Sequence, residues 1–317
     1  MKRYDEIVVA IPCYNEAPTI EKVVRDFRRE LPDASIVVLD NNSTDNGPHL
    51  AREAGALVMP VKRQGKGAVI RHVFREIDAD VYVIADGDDA CPASCVHDLI
   101  APILNKSADM VMGDRLSSGA YKKENRRMFH NLGNNLVNIL INSCFGADIK
   151  DAMCGYRAFS RRFAKNVPVI SDGFQVETEM TIRCLDRKLA LKEIDIAYQN
   201  RPRGSSPKLN TIKDGMKVLL TIFTILKDYR PLMFFGSLAS FFVLFSLFCG
   251  IPIINDFIRM GHTPRVPLAV LAAGLMIVAI TMLNCAFVLD TMISQERQRN
   301  ELNILRYHSR DGKTRNP

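Results

Sequence analysis

Residues 81–89 read Val-Tyr-Val-Ile-Ala-Asp-Gly-Asp-Asp, an apolar run that leads directly into an acid-rich turn. The run has the length and the β-branched content of a buried strand. In the turn, the carboxylates of Asp86 and Asp88 repel each other unless a cation or a basic side chain lies between them. Hard oxygen ligands at this density suit Mg²⁺ or Mn²⁺ shared with a diphosphate. The stretch therefore predicts a strand of a sheet that ends at a divalent-cation site.

The chain upstream repeats this arrangement of strand and polar turn. Residues 7–11 form an apolar run before the turn 12–16, and residues 35–39 form another before the turn 40–45. We predict a further strand at 56–60 and three helices, at 19–30, 49–54 and 67–77. This alternation predicts an α/β domain with a mostly parallel sheet and helices on both faces. Because ligands bind at the carboxyl ends of such strands, the three turns are expected to share one edge of the sheet.

The middle of the chain carries further charged motifs between about residues 111 and 210. They are Gly113-Asp114-Arg115, the pair Arg126-Arg127, the segments 151–157 and 173–179, and the basic loop 201–208. The loop is rich in Gly, Ser and Pro and is suited to binding phosphate groups. A dinucleotide oxidoreductase is excluded, because no Gly-x-Gly-x-x-Gly follows the first strand, and residues 65–67 lack the remainder of a P-loop.

Two long apolar stretches lie in the last third of the 317-residue chain. Residues 232–254 and 266–289 contain no charged side chain. As helices, each could cross roughly 30 Å of hydrocarbon. We therefore predict a membrane protein with two transmembrane helices. The alternative is a pair of buried core helices.

The net charge of +7 is concentrated beside these stretches. Lys and Arg flank the pair of stretches and are sparse in the loop between them, which predicts that both termini and the domain at residues 1–210 are cytoplasmic. No nucleic-acid-binding module accounts for the charge. The eight cysteines lack zinc-type spacing and are expected to be free thiols, and residues 1–6 show no signal peptide.

The segment between the domain and the first span is amphipathic. Residues 211–230 are expected to form a helix in the plane of the membrane interface, with an ordinary core-packing helix as the alternative. The predicted organisation is thus a catalytic domain at 1–210, this interfacial helix, the two spans within 231–290, and a basic cytoplasmic tail at 291–317.

The ordered set of motifs resembles the polyprenyl-phosphate glycosyltransferases, the group that contains dolichol-phosphate mannose synthase. The motifs that carry the resemblance are Ile11-Pro12-x-Tyr14-Asn15-Glu16, the acidic turn at 40–45, Gln64-Gly65-Lys66-Gly67, Asp86-x-Asp88, Gly113-x-Arg115, Asp151-x3-Gly155-Tyr156 and Arg203-x2-Ser206-x-Lys208. The resemblance implies a GT-A (Rossmann-like) fold and inverting transfer of a sugar from a UDP- or GDP-sugar to undecaprenyl or dolichyl phosphate. It also implies dependence on Mg²⁺ or Mn²⁺ and a place in the cell or endoplasmic reticulum membrane.

The resemblance also implies a role for each matching residue. Pro12, Tyr14 and Glu16 would line the nucleotide pocket, and Asp40 would hold the base or ribose. Gly65, Lys66 and Gly67 would lie against the nucleotide, and Asp86 and Asp88 would hold the nucleotide and the metal. Arg203, Ser206 and Lys208 would clamp the diphosphate. Arg115, with Arg126 or Arg127, would grip the acceptor phosphate.

Two departures from the family pattern affect these roles. The acidic turn usually reads Asp-Asp-Gly-Ser, whereas residues 40–43 read Asp-Asn-Asn-Ser, so that contacts with the base differ. Ala90 stands where the family often has Gln or Ser as a further metal contact. Water or Asp89 would then complete the metal shell.

Three acidic residues are candidates for catalysis. Asp151 is the candidate for a carboxylate base or orienting group, and a structural cap is its alternative. Glu177 and Glu179 cannot both face the site from one helix, and the family pattern favours Glu179 over Glu177. A phosphate monoester is already ionised at neutral pH, so that its positioning by arginines matters as much as a base.

Other acceptors and one other class of protein remain open. A diacylglycerol or a glycan acceptor would demand a true base. A processive polysaccharide synthase is disfavoured because the chain contains no Trp. A catalytically dead membrane scaffold would not need the acidic pair and the basic loop. Because two spans alone form a small membrane domain, assembly of the protein into a homo-oligomer is also left open.

Overall fold

The first two-thirds of the chain form an α/β domain in this computed structural model, which describes residues 2–3, 6–117, 128–173, 175–196, 220, 223–224 and 226–314. The strands are β1 (Lys2–Arg3), β2 (Ile7–Cys13), β3 (Ser35–Asp40), β4 (Leu57–Pro60), β5 (Ile77–Asp78), β6 (Val81–Ile84), β7 (Met110–Asp114), β8 (Arg157–Ser160) and β9 (Leu191–Asp195). The helices of this domain are α1 (Ile20–Glu30), α2 (Gly47–Glu53), α3 (Lys66–Glu76), α4 (Val96–Leu104), α5 (Met128–Phe145), α6 (Arg161–Asn166) and α7 (Val176–Asp186). The strands and helices predicted up to residue 85 are all present, with ends that differ by one or two residues.

Seven strands form the main sheet, in the order β4-β3-β2-β6-β8-β7-β9. Strands β4, β3, β2 and β6 are parallel to one another, and β7 is parallel to β9. Strand β8 is antiparallel to both of its neighbours. The prediction of a mostly parallel sheet is therefore confirmed.

The reversal of β8 determines which loops meet. Because β8 runs opposite to β6 and β7, its amino end lies at the edge of the sheet where their carboxyl ends lie. The loop at 151–156, which leads into β8, therefore joins the turns that follow β2, β3, β6 and β7. This reversal is a property of the tertiary fold that periodicity in the sequence does not report.

The hydrophobic core lies between the sheet and its helices. Helix α1 buries Ile20, Val23, Val24 and Phe27, which recur at the spacing of one helical face. They pack in a core cluster with inward residues of the central strands, among them Val9, Ile11, Val38 and Val83. Burial of this apolar area stabilises the central strands and so fixes the positions of the turns at their ends.

The C-terminal part of the chain consists of two long helices, α8 (Pro231–Met260) and α9 (Val266–Thr314). Contacts divide the chain into two units, and residues 219–302 form the second. Both helices are long and apolar enough to cross a membrane, and their most apolar windows are only 22% and 6% buried. Helix α9 continues past Leu289, the predicted end of the second span, so residues 291–314 of the predicted tail are helical.

Candidate active site

The acidic turn after β6 lies beside the turn after β2, because these two strands are neighbours in the sheet. Gly87 packs against the backbone of Pro12 and the side chain of Glu16. Thr19 donates a 2.6 Å hydrogen bond from Oγ1 to the carbonyl of Gly87. The start of α1 therefore fixes the turn that carries Asp86 and Asp88.

The turns after β2 and β3 are joined by side-chain hydrogen bonds. Asn15 Oδ1 accepts from the backbone N–H of Thr44 at 2.7 Å, and Asp45 accepts from the N–H of Ala17 at 2.9 Å. Asp40 accepts from the N–H of Ser43 at 2.9 Å. Tyr14, predicted to line a nucleotide pocket, is 40% exposed at this edge. The fold thus brings the predicted nucleotide-binding residues of both turns together.

Asn41 accounts for one of the departures from the family pattern. Its buried amide donates to the carbonyls of Val61 and Arg63 at 2.9 and 2.7 Å, and accepts from the N–H of Gly65 at 2.7 Å. A carboxylate could accept from Gly65 but could not donate to the two carbonyls. Asparagine at this position therefore holds the segment that leads into α3, a role that the motif itself did not indicate.

Gly65 and Gly67 lie against the backbone of residues 171 and 172. Gly65 has φ +121°, a conformation that disfavours residues with a Cβ, and a Cβ on Gly67 would overlap the carbonyl of Ser171. The N–H of Gly67 donates to the carbonyl of Asp172 at 2.8 Å. Both glycines therefore allow two loops to approach each other closely.

Replacement of Gly67 by alanine is expected to destabilise the fold by about 1–3 kcal/mol, since the added methyl must displace backbone atoms. The measurement is the free energy of unfolding in denaturant, with Gly87→Ala as the matched control. A Cβ on Gly87 meets its nearest neighbours at 3.4 Å, an ordinary contact, so this variant should keep the stability of the parent. Equal stability of the two variants would contradict the packing argument.

Lys66, which was predicted to lie against the nucleotide, is buried between two carboxylates. Its Nζ lies 2.5 Å from Asp86 Oδ1 and 2.7 Å from Glu177 Oε1, and its side chain is 8% exposed. Burial disfavours the ammonium, but the charges of Asp86 and Glu177 outweigh burial and raise the pKa of Lys66. The lysine therefore stays charged and contacts Asp86 of the acidic turn from the interior of the domain.

Glu177, rather than the favoured Glu179, reaches this group. The carboxylate of Glu179 accepts from the backbone N–H groups of Ile170 and Ser171 and pairs with Arg183 at 2.7 Å. Glu179 therefore holds the loop before α7, while Glu177, two residues away, faces Lys66. Of the two glutamates, Glu177 is the one that contacts Lys66, and the catalytic role that the family pattern implies for Glu179 stays a prediction.

The acidic turn fits a divalent cation that is shared with a substrate. Asp86 is 36% exposed on its side chain, and Asp88 is partly buried beside it. Both oxygens of Asp89 lie 2.8 Å from Lys22 Nζ, so this carboxylate is engaged elsewhere. Among the described residues, no group of three or more His, Cys, Asp or Glu side chains could hold a metal. Two carboxylates completed by phosphate oxygens and water are a common arrangement for Mg²⁺.

Arg115 and Asp151 form a two-point ion pair at the end of β7. Arg115 Nε lies 2.8 Å from Asp151 Oδ2, and Nη2 lies 3.0 Å from Oδ1. The side chain of Asp151 is fully buried, and that of Arg115 is 17% exposed. Both carboxylate oxygens therefore face the guanidinium, which gives Asp151 the geometry of an orienting group.

The loop that carries Asp151 also reaches the acidic turn. Gly155 of this loop lies against the Asp86 carboxylate, since a methyl group on Gly155 would overlap Asp86 Oδ2. The ion pair and the acidic turn are therefore neighbours. All eight cysteines are free thiols in this structure.

Several predicted site residues lie outside the described part of the chain. They are Arg126, Arg127, Arg203, Ser206 and Lys208. Most of the predicted interfacial helix at 211–230 lies outside it as well. The described site therefore consists of the nucleotide-side turns, the acidic turn with its buried lysine, and the Arg115–Asp151 pair.

The strand order, the reversed β8 and the acidic turn after β6 define the class, a glycosyltransferase domain with the GT-A fold. The sequence profile of glycosyl transferase family 2 matches residues 8–167, and the chain belongs to this family. The relationship predicted from the motifs is thereby confirmed.

Relatives and a solved structure support the assignment. Glycosyltransferase AglJ of Haloferax volcanii is 35% identical over 237 residues, which are 74% of this chain and 76% of that protein. The dolichyl-phosphate hexose transferase of the same organism is 27% identical over 72% of this chain and 96% of its own length. Glucosyl-3-phosphoglycerate synthase of Mycobacterium tuberculosis, crystallised with Mn²⁺, UDP-glucose and phosphoglyceric acid, has a TM-score of 0.53 and 24% identity over 68% of this chain and 79% of that one. This last likeness concerns the fold alone.

Proposed function

We propose that the protein transfers a sugar, with inversion, from a UDP- or GDP-sugar to a polyprenyl phosphate, undecaprenyl or dolichyl phosphate, at the cytoplasmic face of a membrane. The products are a polyprenyl-phosphate sugar and a nucleoside diphosphate. The observation that carries the proposal is the Arg115–Asp151 pair beside the acidic turn of Asp86 and Asp88. A similar relative named as a dolichyl-phosphate hexose transferase supports the choice of acceptor.

The acidic turn would act on the leaving group. As the bond between the anomeric carbon and the diphosphate breaks, negative charge grows on the diphosphate. Mg²⁺ or Mn²⁺ bound at Asp86 and Asp88 would neutralise that charge. Pro12, Tyr14, Glu16 and Asp40 would hold the nucleoside on the neighbouring turns. Arg203, Ser206 and Lys208 would clamp the diphosphate, as the motif implies.

The ion pair favours a phosphate acceptor over an alcohol. An alcohol must lose its proton during attack, which requires a carboxylate that can accept it. Asp151 is fully buried and its two oxygens contact Arg115, so it suits the orientation of that guanidinium better than proton transfer. A phosphate monoester needs charge compensation instead, from Arg115 together with Arg126 or Arg127. Attack by its oxygen from the face opposite the diphosphate gives inversion.

The two apolar helices fit a lipid acceptor. Within the chain their most apolar windows are largely exposed, which suits contact with lipid. We assign residues 231–290 to two membrane spans, with the catalytic domain, the interfacial segment 211–230 and the tail 291–317 on the cytoplasmic side. An enzyme held there searches for its lipid substrate in two dimensions.

The test is to incubate the purified protein with a panel of nucleotide sugars and a short-chain polyprenyl phosphate, with and without Mn²⁺. Mass spectrometry of the extracted lipid should show one added hexose in the presence of Mn²⁺ and none without it. The matching polyprenol, which lacks the phosphate, is the control acceptor and should give no product. A diacylglycerol and a glycan are included as further acceptors. Product from the polyprenol, the diacylglycerol or the glycan, with none from the phosphate, would overturn the choice of acceptor. An absence of transfer with every donor would overturn the proposal that the protein is a glycosyltransferase acting on lipid.

A further inference from the structure

A buried ion pair lies beneath the proposed cation site. Lys66 Nζ contacts Asp86 Oδ1 on one side and Glu177 Oε1 on the other, and the side chains of Lys66 and Glu177 are only 8% and 5% exposed. Asp86 itself is 36% exposed. One face of the Asp86 carboxylate is therefore held from inside the protein, while the residue remains open to the surface.

Glu177 depends on Lys66 for its hydrogen bonding. Its second oxygen, Oε2, is buried and has no hydrogen-bond partner within the described residues. Burial of a carboxylate is costly unless a partner compensates it, and the lysine at 2.7 Å is that partner. The pair therefore acts as a unit, in which Glu177 fixes where the ammonium of Lys66 lies.

Gly155 leaves the space that this contact needs. A methyl group on Gly155 would overlap Asp86 Oδ2 and come within 2.5 Å of Lys66 Nζ. Its neighbours are therefore the ends of two side chains, which can shift, rather than backbone. A substitution here would disturb the contact between Lys66 and Asp86 without removing any charge.

We propose that Lys66 and Glu177 are positioning residues for the divalent cation: Glu177 anchors Lys66, and Lys66 fixes the orientation in which Asp86 presents its carboxylate. The proposal rests on the proposed function, since it takes Asp86 and Asp88 as the cation ligands. Residues that contact a metal-ligating side chain and fix its orientation commonly influence the affinity for the metal, and their loss weakens that affinity by about 10–100-fold.

A neutral double variant separates orientation from charge. Lys66 and Glu177 carry opposite charges, so Lys66→Met/Glu177→Leu leaves the net charge near Asp86 unchanged. The buried Arg157 loses the nearby charge of Glu177 but keeps its hydrogen bonds to the carbonyls of Cys154 and Ala152 and to the hydroxyl of Thr181. If Lys66 only repelled the cation, its removal would tighten binding. If Lys66 orients Asp86, its removal weakens binding, so the sign of the change decides between the two.

The experiment measures Mn²⁺ binding in the presence of UDP or GDP, by the electron paramagnetic resonance signal of free Mn²⁺. We expect about 10-fold weaker Mn²⁺ binding or more in Lys66→Met/Glu177→Leu and in Gly155→Ala, at unchanged unfolding temperature. In transfer assays the Mn²⁺ concentration for half-activation should rise by a larger factor than kcat at saturating Mn²⁺ falls. A purely structural role would instead lower kcat and the unfolding temperature together.

The control is a second neutral ion pair in the same domain, Arg161 with Asp78, whose charged atoms are 2.9 Å apart. Arg161→Met/Asp78→Asn should bind Mn²⁺ as the parent does. If Lys66→Met/Glu177→Leu unfolds more easily, its Mn²⁺ affinity is measured at a temperature at which it and the parent are both folded. Mn²⁺ affinity of this double variant equal to or higher than that of the parent would overturn the inference. Failure of the parent itself to bind Mn²⁺ with either nucleotide would overturn the cation site of the proposed function instead.

Discussion

Asp88→Asn is expected to lower kcat/KM for sugar transfer by about 100- to 1000-fold, because the charge on the leaving diphosphate loses part of its electrostatic compensation. The residue lies in the acidic turn after β6, where Asp88 Oδ1 contacts the N–H of Ala90 at 3.2 Å. Asparagine can preserve that contact through its carbonyl oxygen. The loss should therefore appear in turnover and Mn²⁺ dependence, while the unfolding temperature stays near that of the parent.

The control for this variant is Asp98→Asn, which changes an exposed acid in the first turn of α4. It removes the same charge from the same domain and should leave transfer within about twofold, as most surface substitutions leave the fold intact. Rates for Asp88→Asn close to those of Asp98→Asn would show that the acidic turn does not act on the leaving group.

Arg115→Met is expected to destabilise the protein by about 3–5 kcal/mol and to abolish transfer, since it removes the guanidinium that faces the buried Asp151 carboxylate and keeps only the 3.3 Å contact with the backbone N–H of residue 115. Asp151 is 0% exposed, and both of its oxygens contact Arg115, so no water-exposed position relieves the charge. The measurements are the free energy of unfolding in denaturant and the rate of lipid glycosylation.

The double variant Arg115→Met/Asp151→Leu distinguishes the two losses. It buries no unpaired charge and should regain most of the stability that Arg115→Met loses, because apolar replacement of a whole buried pair is often neutral. It should not regain transfer, since the acceptor phosphate still lacks its arginine. Recovery of transfer together with stability would show that Arg115 acts on the fold rather than on the acceptor.

Much of the site could be predicted from the sequence because strands and turns are local features. Apolar runs ended by Asp, Asn and Gly place the turns after β2, β3 and β6 at one edge of a parallel sheet, whatever the remainder of the fold. The acidic pair followed from that placement and from the repulsion of its charges. The two apolar helices followed from length and composition alone.

The partners of these residues could not be predicted in the same way. Glu177 and Glu179 lie in one helix with the same side chain, and only the tertiary fold, which places the start of α7 at the start of α3, directs Glu177 to Lys66 and Glu179 to the loop before the helix. Asn41 looked like a changed base contact, yet the three hydrogen bonds of its side chain all go to the backbone of residues 61–65.

The sequence by itself determined the class of fold, the edge at which the site lies and the acidic turn that defines it, because periodicity and turn chemistry act over a few residues. The tertiary structure decided which charges meet. The reversal of β8 brings the loop of Asp151 and Gly155 to the acidic turn, and burial leaves Lys66 and Arg115 each facing carboxylates. Such pairings join residues from 20 to more than 100 positions apart, and their energies depend on burial, which no local pattern records.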